Sequence, residues 1–256
     1  MTKILFESKN AVIALKPSGV LSVPTRLGSS EKRPILSLEL KRLLKTEILP
    51  VHRLDFEVGG LILFAKSKEF HKVANLWFEN SKVKKKYLAL TEDTPIELTP
   101  QSNPLHKVIQ LADTSIGQTY LNPQHWESYL VRGKKRAFEA PYGQKAITEA
   151  QVLTPEKSTP YLKVWKALNI QIPDNCWMWD LSPLTGKSHQ LRYELFKRGH
   201  PIFGDTLYGS KKTLSTTRGK EKKDTIALVA YSLDFSSCDN FKKWELPESI
   251  DLGSSL

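Results

Sequence analysis

The stretch that most constrains this chain is Gly60–Ala65, Gly-Leu-Ile-Leu-Phe-Ala, six residues without a polar side chain. A run that short, next to turn-forming residues, reads as a strand buried on both faces. Other strand-like runs accompany it. Ala11–Leu15, Tyr87–Leu90, Ala146–Val152, Tyr161–Leu168, Trp177–Leu181 and Ile226–Phe235 are short and largely apolar, and Lys16-Pro17-Ser18-Gly19 is a turn that closes the first of them. Three helices are predicted. Pro34–Leu44 has Pro34 suited to its first turn. Ser67–Asn80 starts at an N-cap serine and buries Phe70, Val73, Ala74, Trp77 and Phe78. Ser188–Lys197 has Ser188 as its cap and Gly199 just past its end. Strands outnumber helices without regular alternation, which predicts an α+β protein with a mainly antiparallel sheet and flanking helices.

Nothing in the chain calls for a second unit. Thr94–Asn103 and Lys211–Asp224 read as polar loops too short to link domains, and the residues after Phe235 are too polar to fold separately. The expectation is one domain over residues 1–256, with a polar C-terminal tail over residues 236–256.

Charge narrows the partners. Lys plus Arg number 38 against 27 Asp plus Glu, a net charge of +11, which favours a polyanion: nucleic acid or an anionic membrane surface. No long basic amphipathic helix supports the membrane, and no segment approaches the roughly 20 apolar residues that would span one. The opening MTKILFESKN breaks its apolar run with Glu7 and Lys9, unlike a secretory signal. Cys176 and Cys238 are far apart and outside any CxxC pair, so neither a disulfide framework nor a structural zinc site is expected, and a cytoplasmic location fits.

Four constellations could carry chemistry. Val51-His52-Arg53-Leu54-Asp55 precedes Gly59-Gly60 and the apolar strand, which would hold a carboxylate at the mouth of a cleft. A surface loop with an incidental ion pair is the plainer reading of the same residues. Thr185-Gly186-Lys187-Ser188-His189-Gln190-Leu191-Arg192 enters a helix; His189 and Arg192, three apart, share a face, and Arg192 could reach a carboxylate on a neighbouring loop. Its Gly-Lys-Ser lacks the earlier glycine of a phosphate loop, where Leu181 stands. Gly199-His200-Pro201-Ile202-Phe203-Gly204-Asp205 marks a fixed loop, and His200 there reads as structural, since no metal-ligand spacing accompanies it. Lys84, Lys85 and Lys86 end in Tyr87. With Arg132–Arg136 and Lys220–Lys223, they suit a groove that tracks phosphates and stacks a base.

Taken in order, HRLD, GG-LILFAKS, KKYLAL, KAITEAQVL, LTGKSHQLRYEL and KRGHPIFGDTLYG, with the early KPSGV, resemble the RluA family of pseudouridine synthases from about Lys16 to Phe235. The resemblance implies a mixed, largely antiparallel sheet around a central RNA-binding cleft. It also implies isomerisation of selected uridines in rRNA or tRNA without metal or cofactor, by a monomer acting on RNA and not DNA. Asp55 matches the family's catalytic aspartate, Arg53 the arginine that enters the RNA and displaces the base, Tyr87 the aromatic that packs on uracil, and Arg192 the basic partner of the aspartate. His52, Lys84, Lys85, Lys86, Lys187, His189 and Gln190 are the expected RNA contacts. This chain departs from the pattern at Val58-Gly59-Gly60, where Thr-Ser-Gly is usual. It departs again at Lys187 in place of Arg, and at Glu194 and Val229 where His is common. Only fifteen residues precede Lys16, so the core is expected to find its substrate largely alone or with a partner. The chemistry agrees: moving uracil from nitrogen to carbon attachment needs a carboxylate, an aromatic lid and a cation, with no redox change. A kinase reading of HRLD fails, because no GxGxxG precedes it and no Asp-Phe-Gly follows. The rival from another class is a non-catalytic RNA-binding or RNA-folding protein on the same scaffold.

Overall fold

A computed structural model describes residues 2–93, 120–218 and 221–256. The expected loop Thr94–Asn103 and Lys220 lie outside the described residues. The first half runs β1 (Lys3–Glu7), β2 (Ala11–Lys16), α1 (Leu36–Leu44), β3 (Leu49–Pro50), β4 (Gly59–Ala65), α2 (Lys68–Glu79) and β5 (Lys84–Glu92). The second runs β6 (Gln124–Arg132), β7 (Ala137–Glu139), β8 (Gln144–Val152), α3 (Pro155–Ser158), α4 (Leu162–Ala167), β9 (Cys176–Pro183) and α5 (Gln190–Lys197). It closes with β10 (Leu214–Arg218), β11 (Glu221–Thr225), β12 (Leu228–Asp234), β13 (Ser249–Asp251) and α6 (Leu252–Ser255).

Eleven strands form one sheet in the order β1-β2-β4-β12-β5-β9-β8-β6-β7, with β13 beside β12 and β3 beside β4. Every pairing is antiparallel except that of β12 with β4, so the sheet is mixed and mainly antiparallel, and the fold is α+β. The apolar run explains the centre. In β4, Ile62 and Phe64 pack toward α1 with Leu36 and Leu40, while Leu61, Leu63 and Ala65 join Phe70, Ala74 and Trp77 of α2 on the other face. Both faces are covered, as a continuous apolar strand requires. Gly60 is dictated by its neighbour: its φ is +123°, and a Cβ would collide with the backbone of Ala230 on the parallel strand β12.

Ser67 caps α2 as expected, its hydroxyl accepting from the Phe70 N–H at 3.2 Å. Four other expectations are corrected. Tyr161–Leu168 is helical, because its buried residues Val164, Trp165 and Leu168 fall at helical spacing behind a Thr154-Pro155 start. Pro34 stands ahead of α1, whose N-cap is Ile35. Lys211–Asp224 contains the hairpin β10–β11 rather than an open loop. The residues after Phe235 are no loose tail: β13 pairs with β12, and Leu246, Ile250 and Leu252 enter the core. Among the described residues no helix is long and apolar enough to cross a membrane.

Candidate active site

Asp55 leaves a loop that the preceding turn holds rigidly. Lys16 is wholly buried, and its ammonium donates to the carbonyls of Val20 at 2.7 Å and Phe56 at 3.3 Å. Ser18 Oγ donates to Glu57 O at 2.6 Å, and Ser22 Oγ donates to Leu54 O and accepts from Leu54 N. The KPSGV segment is therefore a brace for the residues on either side of Asp55. Buried backbone groups need such partners, and a charged donor supplies the stronger ones.

The loop opens into a pocket of about 390 Å³ shared with Arg53, Lys85, Tyr87, the Pro183–His189 segment, Leu191 and Arg192. Tyr87 stands in β5 between β12 and β9, opposite Ala230 and Leu181, at the middle of the sheet. Burial, and then the charge of Asp55, raise the pKa of its phenol, which stays neutral.

Arg192 is the hub. Only 4% of it is exposed, and its Nε and Nη2 donate to Asp205 Oδ2 and Oδ1 at 2.7 and 2.8 Å in a two-pronged clamp. The remaining Nη1 faces Asp55 Oδ2 at 3.4 Å and Glu57 Oε2 at 3.9 Å. Burial opposes the charge, but Asp205, Asp55 and Glu57 outweigh it, and the guanidinium pKa is raised. The cation also lies over the Tyr208 ring at 5.2 Å.

His189 occupies the N-cap position of α5 in the left-handed region, φ +55°, so Ser188 is not the cap. That turn carries its imidazole to Asp55, with Nε2 3.6 Å from Oδ2, and sets Nδ1 3.1 Å from the Tyr208 hydroxyl. Tyr208 Oη also accepts from the Ala137 N–H at 2.7 Å, and Arg192 Nη1 lies 3.4 Å from His189 Nε2, so the imidazole sits between the tyrosine hydroxyl, the guanidinium and Asp55. Burial and then Arg192 lower the His189 pKa, which keeps the ring neutral.

Several expected RNA contacts are placed differently. Gln190 is buried and uses both ends of its amide internally. Its Nε2 donates to Ile147 O and Thr148 Oγ1, and its Oε1 accepts from Thr185 Oγ1 and Lys187 N. It ties the Thr185–Lys187 turn to β8 and has no polar group left for RNA. His52 stacks on Phe78 at 4.5 Å and accepts from the Leu63 N–H at 3.0 Å. Burial, and secondarily Lys85, push its pKa down to about 3, so it enters the wall as a neutral ring. The basic run is divided by strand alternation: Lys85 and Tyr87 line the pocket, whereas Lys86 pairs with Asp180 at 3.3 Å and Lys84 does not line it. Burial lowers the pKa of Lys85. Arg53 is exposed at the pocket mouth, and among the described residues nothing pairs with it. Arg132–Arg136 belongs to the β6–β7 hairpin, outside this pocket. Asp205, Glu57 and Tyr208 were not anticipated. The sequence signal for Asp205 was present: it is the one carboxylate of the fixed loop Gly199–Asp205 and follows Gly204. Among the described residues no three His, Cys, Asp or Glu side chains gather as a metal site.

This mixed sheet has known counterparts. The fold matches human RNA pseudouridylate synthase domain-containing proteins: number 1 at TM-score 0.59 and 19% identity, covering 92% of this chain and 78% of that one, and number 4 at 0.57 and 22%, covering 90% and 83%. The family model described as RNA pseudouridylate synthase matches residues 10–196, and the chain belongs to that family of isomerases. Similar proteins include tRNA pseudouridine synthase C of Haemophilus ducreyi, 26% identical over 97% of this chain and 90% of that protein. The dual-specificity RNA pseudouridine synthase RluA of Vibrio cholerae is 29% identical over 91% and 76%.

Proposed function

We propose that this protein converts selected uridines of an rRNA or tRNA to pseudouridine, with Asp55 as the catalytic carboxylate. The carrying observation is that Asp55 Oδ2 lies 3.4 Å from an Arg192 fixed on its other edge by Asp205, in the pocket that also presents Tyr87. The reaction breaks the bond from ribose C1′ to uracil N1, turns the base and joins C1′ to C5. The C5 proton leaves and N1 gains one, so the balance is an isomerisation with no redox partner.

The target base must leave its stack to reach the pocket. Arg53, exposed at the mouth and unpaired among the described residues, replaces the lost stacking. Tyr87 packs on the uracil. Arg192, with neutral His189 beside it, orients the Asp55 carboxylate and offers it a cation. The names of the relatives, which include tRNA and ribosomal large-subunit synthases, support tRNA and rRNA as the substrate classes. The departures at Val58, Gly59 and Glu194 sit in packed surroundings. Val58 lies in the core, and a Cβ on Gly59 would press on Leu168 at 3.3 Å. Glu194 is buried against Arg198.

The test is Asp55→Asn on rRNA and tRNA fractions from cells lacking the gene. Pseudouridine formation is expected to vanish while RNA affinity stays within about tenfold, roughly 1.4 kcal/mol. Turnover by the pure variant would overturn the assignment. A wild-type protein that binds RNA and forms no pseudouridine would favour the non-catalytic reading.

A further inference from the structure

A second groove of about 470 Å³ adjoins the pocket that holds Asp55. The two share Gly186, Lys187 and Ser188, so the groove continues the same surface and is not a separate cavity. Its far wall is the end of β6 with the Ala140–Gly143 turn that leads into β8, and there Tyr142 is 78% exposed. An aromatic so open to water contributes little to the core.

The turn that carries it is fixed. Ala140 N donates to Tyr129 O at 2.9 Å and Gly143 N to Ala140 O at 2.8 Å. A Cβ on Gly143 would collide with the Tyr129 backbone, so the glycine is what allows this close approach. The charged residues on the groove lining, Arg132 and Lys187, are both cationic, and among the described residues no carboxylate lines it. An exposed ring on a fixed turn, beside two cations and continuous with a nucleotide pocket, has the features of a single-strand platform: a face for a base and charges for the phosphates around it.

We infer that this groove holds an unpaired nucleotide flanking the target uridine, its base stacked on Tyr142 and its phosphates against Arg132 and Lys187. The inference rests on the proposed RNA substrate and adds a place where the neighbouring strand is held. It makes the chain select uridines in unpaired segments, because a base inside a duplex has both faces covered by its stacked neighbours.

The test uses the intact protein and a fluorescein-labelled oligouridylate of about twelve nucleotides, a length suited to one such groove, read by anisotropy. Tyr142→Ala is expected to weaken binding about tenfold, at the low end of the effect of losing one base–aromatic stack. Tyr142→Phe is expected to bind within about twofold of wild type, since the ring and not the hydroxyl stacks. Inorganic polyphosphate, which offers charge without bases, is expected to bind wild type and Tyr142→Ala alike. An oligouridylate affinity unchanged in Tyr142→Ala, or an equal loss toward polyphosphate, would overturn the inference. Pseudouridine formation at saturating RNA separates this from the proposed reaction. A Tyr142-dependent affinity in a protein that makes no pseudouridine sustains the groove and removes the enzyme reading. Full turnover with no dependence on Tyr142 does the reverse.

Discussion

Removing the Asp205 carboxylate tests whether Arg192 is as tightly held as the geometry indicates. Asp205 is 1% exposed and Arg192 4%, and two short charge-assisted hydrogen bonds join them. Deleting one partner of a buried pair costs about 3–5 kcal/mol, because the other charge is left desolvated. Here Asp55 and Glu57 still face the guanidinium from partly exposed positions, 36% and 41%, so the lower end applies and Asp205→Ala is expected to lose about 3 kcal/mol. For a chain of this size each kcal/mol moves the melting temperature by about 2–4 °C, so the shift is about 6–12 °C. Activity is expected to fall with it, since the freed guanidinium is no longer aimed at Asp55. The double variant Arg192→Met, Asp205→Leu separates the two effects. With both charges gone, much of the stability is expected to return, as apolar replacement of a buried pair is often neutral, while activity stays lost. Thermal melts and single-turnover pseudouridine formation on the three proteins would decide it. An Asp205→Ala protein melting within about 1 °C of wild type refutes the clamp, and a double variant no more stable than the single would show that shape, not charge, is what Asp205 supplies.

Two further outcomes follow from burial and from strand alternation. Burial pushes His52 down to about 3 and His200 to about 4 from the ordinary 6.5, so on acidification the unfolded chain takes up protons first; stability is complete above about pH 6.5 and falls by up to about 1.4 kcal/mol per pH unit for each ring until those folded values are reached. His52→Gln, which keeps an acceptor for the Leu63 N–H, is expected to make urea midpoints less sensitive between pH 7 and 5, and parallel curves for the two proteins would contradict this. Lys85→Gln is expected to reduce the salt dependence of oligouridylate binding by about 0.7 in the log–log slope, while Lys86→Gln, on the opposite face of β5, leaves it unchanged; equal slopes in both variants would place the RNA elsewhere.

Much of the fold was legible because the decisive residues obey a single local rule. Ser67 caps α2, and an apolar run as complete as β4 has one stable fate. The misreadings occurred where two rules overlapped. Tyr161–Leu168 is short and apolar enough to suggest a strand, and only the 164, 165, 168 spacing of its buried residues distinguishes the helix it forms. The strand β6 went unread because it turns Ser128 inward and Tyr129 outward, which blurs the alternation of Trp126 and Leu130.

The site was legible in its members and not in their directions. Spacing along α5 brings His189 and Arg192 to one face, and the structure sets both against Asp55. No local pattern announces that His189 adopts a left-handed backbone to get there, or that Gln190 between them is turned inward to hold Thr185 and Lys187. The consecutive lysines show the same limit from the other side. Read as composition, Lys84, Lys85 and Lys86 make one basic patch; folded into β5, the alternation of a strand gives the pocket Lys85 and hands Lys86 to Asp180. Charge counts therefore identify the kind of partner, while the parity of a residue along its strand decides whether its charge can meet that partner. In this chain that parity leaves one lysine of the run beside Tyr87 in the pocket of Asp55, while Arg132 at the end of β6 and Lys187 in the loop before α5 line the groove that continues from it.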